Sequence, residues 1–139
     1  MSKNLWTQKQ IMVSNEDIIL LSITTENLRI ATSDSDGYIV LKNLTELSIQ
    51  ENRKPKNVIL TFGNVQEICS AFVGTLIDIM DKFSLYGGIL LLVDVPPVVK
   101  DVFVRCGVSC VLSSFSYCCE QRAMEDVPRA RELGFTSCL

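Results

Sequence analysis

The chain contains no histidine. Its commonest general base and its commonest metal ligand are therefore both missing, and a serine–histidine nucleophile is excluded. The six cysteines (Cys69, Cys106, Cys110, Cys118, Cys119 and Cys138) form no C-x-x-C pair, which argues against a zinc site and implies no metal. Long apolar runs are also lacking. The longest, Ile89 to Val93, falls far short of the roughly 20 residues that a membrane helix needs. Neither G-x-x-x-x-G-K nor G-x-G-x-x-G occurs, so no nucleotide phosphate loop is indicated and no cofactor is implied. Basic charge is not in excess: the net charge of −3 argues against a nucleic-acid surface. The densest basic cluster, Arg53, Lys54 and Lys56, flanks Pro55 and reads as a solvated loop. The opening MSKNLWTQKQ is polar and lacks the apolar centre of a secretion signal, which leads us to expect a stand-alone cytoplasmic chain. No internal repeat or low-complexity segment is present.

What is present suits a folded α/β protein. With 139 residues, 47% hydrophobic and 21% charged, the chain is long enough for one core and too short for two. We expect one domain over 1–139, with 1–9 and 129–139 as extended or frayed tails. Gln10 to Val13 and Asp17 to Ile23 read as a hairpin turning at Ser14-Asn15-Glu16. Residues 24–33 are ambiguous between strand and loop. Asp34-Ser35-Asp36 offers capping oxygens before a helix from Gly37 to Gln50, with Tyr38, Leu41, Leu44 and Leu47 on one side. Pro96-Pro97 opens a helix from Val98 to Cys106, Gly107 stops it, and Ser109 to Leu112 reads as a last strand. A tail helix, Tyr117 to Asp126, is expected to be interrupted by Pro128. Asp94, leaving an apolar strand, reads as a solvated turn residue. Most of the cysteines read as buried small hydrophobes, with Cys69 held apart as a thiol near a helix start.

The most informative stretch runs from Asn57 to Gly88. Val58, Ile59, Leu60 and Phe62 form a short apolar run, the mark of a strand covered on both faces. Gly63-Asn64 breaks it. Ser70 then stands where a helix N-cap belongs, and Val73, Leu76, Ile77, Met80 and Phe83 recur at helical spacing behind it. Gly87-Gly88 ends the helix, and Ile89 to Val93 reads as a second buried strand. A hydroxyl at the mouth of a helix is chemically addressable. A phosphate there would meet free N–H groups and the positive end of the helix dipole.

Three segments carry a family resemblance. Val65 to Leu76 (VQEICSAFVGTL) resembles the strand-to-helix turn V-x-x-I-D-S-[ST]-G-L-G-x-L of STAS domains, with Ser70 on the phosphorylatable serine. Gly87 to Val99 resembles the family's next strand and the proline that opens the following helix. Val102 to Val111 resembles its helix end, glycine and final strand. The chain departs from the pattern at three places. Cys69 and Thr61 stand where the family carries acids, and Phe72 where it carries a glycine.

The resemblance implies a mixed β-sheet of four to five strands with helices packed mainly on one face. It also implies an anti-sigma factor antagonist: no enzyme, but a partner of an anti-sigma factor serine kinase of GHKL type, switched by phosphorylation at Ser70. Cys69, Ser70, Ala71 and Phe72 would form the partner-binding patch, with Phe72 as an exposed anchor or turned back onto the core. Serine is also a common N-cap, so Ser70 has a purely structural alternative. Two further functions fit the family: a scaffold subunit assembling with other STAS proteins, and a module sensing a nucleotide or lipid beside the Ser70 helix. Glu67 and Asp78 flank the region, but nothing in the sequence pairs them as acid and base.

Overall fold

The computed structural model describes residues 5–13, 15–49 and 55–135. Expectations for Ser14, Gln50, Arg53, Lys54, Cys138 and the ends of both tails lie outside the described residues.

Strand β1 (Trp6–Val13) pairs antiparallel with β2 (Glu16–Ile23), in register from Val13↔Glu16 to Trp6↔Ile23. β1 starts earlier than the sequence suggests because Thr7 to Gln10 lie exposed on an edge, where no apolar alternation is needed. At the hairpin turn, Asn15 takes φ 68°, a left-handed conformation that asparagine tolerates. The ambiguous segment contains a two-residue strand, β3 (Asn27–Leu28), followed by a turn.

Helix α1 (Asp36–Ser48) follows. The Ser35 hydroxyl accepts the N–H groups of Ala31 and Thr32 at 3.0 and 2.9 Å, so it holds the turn behind the helix instead of capping the helix ahead. Gly37 is required here: a Cβ would sit 2.3 Å from the Leu28 carbonyl oxygen. α1 buries Val40, Leu41 and Leu44, whereas Tyr38, expected on that side, is exposed.

Strand β4 (Asn57–Thr61) lies parallel between β2 and β6 (Ile89–Val93), and β6 begins and ends with its apolar run. A short β5 (Glu67–Ile68) pairs with β3 in a separate small sheet and leads into α2 (Ser70–Leu85). α2 ends in a Schellman closure: Gly88 N–H donates to the Phe83 carbonyl at 2.9 Å and Gly87 N–H to Ser84 at 3.0 Å, with Gly87 at φ 86°. Next comes α3 (Pro97–Arg105), reached through Asp94, which is exposed as expected.

Two expectations need correction here. Ser109 to Leu112 is not a strand but the start of α4 (Ser109–Phe115), and the last strand is β7 (Ser116–Tyr117), paired with β6. The reason is periodicity: Val111 and Phe115, one helical turn apart, are the residues that α4 buries. The final helix, α5 (Glu120–Leu133), runs straight through Pro128. Ala123, Val127 and Ala130 bury one stripe on both sides of the proline, which itself faces solvent.

The main sheet has the order β1-β2-β4-β6-β7, antiparallel at β1–β2 and parallel elsewhere. From β2 to β7 the chain steps in one direction, so right-handed crossovers put α1, α2 and α3–α4 on the same face. α5 packs across β2, β4, β6 and β7. Because β6 is buried along its whole length, its second face needs cover, and α5 supplies it. All six phenylalanines are fully buried in one core, including Phe115 against Phe135 at 5.3 Å between ring centroids.

Candidate functional site

The site begins where β5 gives way to α2. Cys69 is extended, at φ −124° and ψ 162°, and its carbonyl accepts the N–H groups of Phe72 and Val73 at 3.1 and 3.3 Å. Cys69 is therefore the N-cap, and Ser70, expected in that role, is the first helical residue. The change matters for chemistry. The Ser70 hydroxyl is not committed to capping; it is exposed and has no hydrogen-bond partner among the described residues. Among the described residues the N–H groups of Ser70 and Ala71 have no partner either, as is usual for the first donors of a helix until something caps them. The first turn of α2 carries no acid.

The predicted patch divides. Ala71 is exposed and Cys69 half-buried, but Phe72 is 0% exposed and turns into the core. Of the two orientations expected for Phe72 the inward one is found, which removes Phe72 from the partner-binding patch: a full ring of apolar surface belongs inside, and the 3.6-residue period points it there with Val73 and Leu76. The exposed stripe continues instead through Ala71, Gly74, Thr75 and Asp78. Thr61, at the end of β4, has a buried hydroxyl with no hydrogen-bond partner among the described residues.

Three depressions surround this point. A cleft of about 290 Å³ is lined by Ile68, Cys69, Ser70, Val102, Arg105 and Cys106. The Arg105 guanidinium is ion-paired with Asp101, one turn earlier on α3 and outside the cleft lining, at 2.7 Å. On the other side of the α2 entrance, an apolar groove of about 510 Å³ runs between α1 and α2, past Tyr38, Leu41, Lys42, Thr45, Ala71 and Thr75. A polar groove of about 490 Å³ lies along Asn27, Arg29, Asp34, Ser35, Asp36 and Glu67. Sequence reasoning reached Ser70 and missed Arg105, which comes from an element beyond the next strand; no local pattern signals that approach.

The remaining candidates do not converge. Glu67 sits on β5 and Asp78 further along α2, with no hydrogen bond joining them. Among the described residues no group of three or more histidine, cysteine, aspartate or glutamate side chains is arranged to hold a metal. The expectation of buried cysteines is also corrected. Cys106, Cys118 and Cys119 are exposed and Cys69 and Cys110 half-buried, all of them free thiols. Cys69, Cys106 and Cys119 occupy helix caps and Cys118 a bend, whereas Cys110 lies within α4; Cys69 and Cys110 pack against the edge of the core. No described helix is long and apolar enough to cross a membrane.

Comparison with known proteins adds a family. Residues 12–117 match the family model described as STAS domain. An anti-sigma-factor antagonist (STAS) domain protein from Planctomyces limnophilus superposes with a TM-score of 0.63 at 14% identity, covering 87% of this chain and 97% of that one. The anti-sigma factor antagonist SpoIIAA in its unphosphorylated form gives a TM-score of 0.61 at 17% identity, covering 89% and 98%. At these identities the likeness is one of fold. No curated protein matches the chain.

Proposed function

The chain belongs to the STAS domain family, and from that premise we propose that it is a cytoplasmic, non-catalytic anti-sigma factor antagonist. It binds an anti-sigma factor serine kinase of GHKL type and is switched by phosphorylation at Ser70. The observation that carries this reading is the exposed, unpartnered Ser70 hydroxyl on the first turn of a 16-residue helix. In the transfer step, Ser70 Oγ forms a bond to the γ-phosphorus of ATP. The bond from that phosphorus to the ADP oxygen breaks, and the hydroxyl proton passes to the kinase. The product phosphate lies beside the free N–H groups of Ser70 and Ala71, at the positive end of the helix.

The switch follows from charge. Unmodified, Ser70 and Ala71 present a small neutral surface that a partner can cover. Phosphorylation adds nearly two negative charges, and burying them against a partner with no matching arginine is unfavourable. A penalty of about 3 kcal/mol weakens binding roughly a hundredfold, which is enough to release a regulator.

The test is incubation with GHKL-type anti-sigma kinases and ATP, followed by mass spectrometry. Label on Ser70 that disappears in Ser70→Ala is the expected result, together with weaker kinase binding by Ser70→Asp. Absence of label with every cognate kinase would overturn the proposal. One observation favours a second reading, a ligand-sensing module: the apolar groove between α1 and α2 reaches Ala71 at the mouth of the same helix.

A further inference from the structure

The cleft beside Ser70 has a second wall. The cleft is lined by Ile68, Cys69 and Ser70 from the β5–α2 junction and by Val102, Arg105 and Cys106 from the C-terminal turn and cap of α3. Arg105 is the only charged side chain among these lining residues, and no carboxylate lines the cleft with it. We infer that Arg105 is the phosphoryl-binding residue for Ser70: when Ser70 carries phosphate, the guanidinium leaves Asp101 and takes the phosphate. This rests on the reading of Ser70 as a phosphorylation site and extends it to α3.

The exchange is favoured on both sides. The existing pair is one turn apart on an exposed helix face, with Arg105 and Asp101 side chains 70% and 63% exposed. Solvated pairs of this kind hold weakly and are screened by salt. The incoming group is stronger. A phosphoserine carries close to two charges at neutral pH and three acceptor oxygens, and the planar fork of arginine matches two of them at once. The other titratable groups on the cleft, Cys69 and Cys106, are thiols and offer no competing carboxylate. Hand-over also leaves the Asp101 carboxylate uncovered. Modification of one serine would then change the charge pattern of two elements, the start of α2 and the exposed face of α3.

The test avoids any kinase. Phosphoserine is installed at position 70 of the full chain by nonsense suppression, and its second ionisation is followed by ³¹P NMR against pH. That ionisation ordinarily falls near pH 6. With Arg105 in contact it is expected to lie lower than in Arg105→Gln by roughly half a unit or more, because a cation favours the dianion. Asp101→Asn removes the competitor and should lower it further. The N–H groups of α2 are common to all three proteins, so they do not contribute to the difference. A midpoint that neither substitution moves overturns the role of Arg105. Should Arg105→Gln fail to fold, the Asp101→Asn comparison alone decides. Failure of kinases to label Ser70 in the unmodified chain would instead overturn the switch and leave the titration result standing.

Discussion

At the entrance to α2, three consecutive side chains have separate duties. Ser70 and Ala71 face solvent, while Phe72 lies wholly inside with Val73 and Leu76. Where family members carry a flexible glycine, this chain places a ring that anchors the first turn of the helix to the core. Phe72→Ala should therefore lower stability by about 3–5 kcal/mol, the range for emptying a buried phenylalanine site. Ala71→Ser, on the exposed side, should stay within about 0.5 kcal/mol. Urea denaturation of the two variants checks both, and a Phe72→Ala loss below about 1 kcal/mol would show that the ring is not held in the core. The serine itself was legible in the sequence because a polar turn followed by a 3.6-residue period marks a helix start. Its release from capping was not legible, since that depends on which residue takes the extended conformation.

At the level of elements, length decided what could be read. β6 and α2 announce themselves, one by an unbroken apolar run and the other by a long periodic stripe. β3, β5 and β7 are two residues each and carry no local pattern; tertiary pairing alone makes them strands. Cys110-Val111-Leu112 resembles a strand over three residues, and only Phe115, one turn beyond Val111, reveals α4. β7 and α5 are then tied by a polar cluster. Tyr117 O–H donates to the Asp126 carboxylate, which also accepts two N–H bonds from Arg129 at 2.7 and 2.6 Å. Burial, and next the bond to Asp126, push the Tyr117 hydroxyl from about 10 up to about 12. The bonds from Arg129 hold the Asp126 carboxyl below its ordinary range. Between pH 10 and 12 an unfolded chain gives up the tyrosine proton while the folded one keeps it, so stability falls as pH rises through that window. Because the ring is partly solvated, the loss should be only about 1 kcal/mol. For Asp126 the sign is opposite: its contribution is present above the ordinary carboxyl range and fades as pH drops through the folded value. Tyr117→Phe should remove the alkaline loss and cost about 1 kcal/mol at neutral pH. Thermal melts from pH 7 to 12 test this, and an unchanged alkaline slope in the variant would place the proton elsewhere.

On the scale of the whole molecule, the family match ends at Tyr117, yet α5 beyond it packs against four strands and buries Ala123, Val127 and Ala130. One polar junction fixes that helix to distant parts of the chain. Arg131 pairs with the Glu16 carboxylate at the first hairpin and donates to the Gly87 carbonyl at 3.2 Å, just past the end of α2. The Asn57 amide, at the start of β4, donates at 3.2 Å both to the same Glu16 carboxylate and to the Asp17 carbonyl. Arg131 and Glu16 side chains are only 30% and 20% exposed, so this pair is shielded where the Arg105–Asp101 pair is not. Losing one partner strands the other in a poorly solvated place. Arg131→Met, which keeps the apolar stem, should lower stability by about 1–3 kcal/mol. Glu16→Gln should lower it less, because a neutral amide still accepts from Asn57. In the double variant no charge is left unpaired, so its loss should be smaller than the sum of the two single losses. The difference is the coupling energy, on the order of 1 kcal/mol for groups in one network. Urea denaturation of the four proteins measures it. Simple additivity would mean that apolar contacts alone seat α5 on the sheet, and that the junction merely decorates a position already fixed by the core.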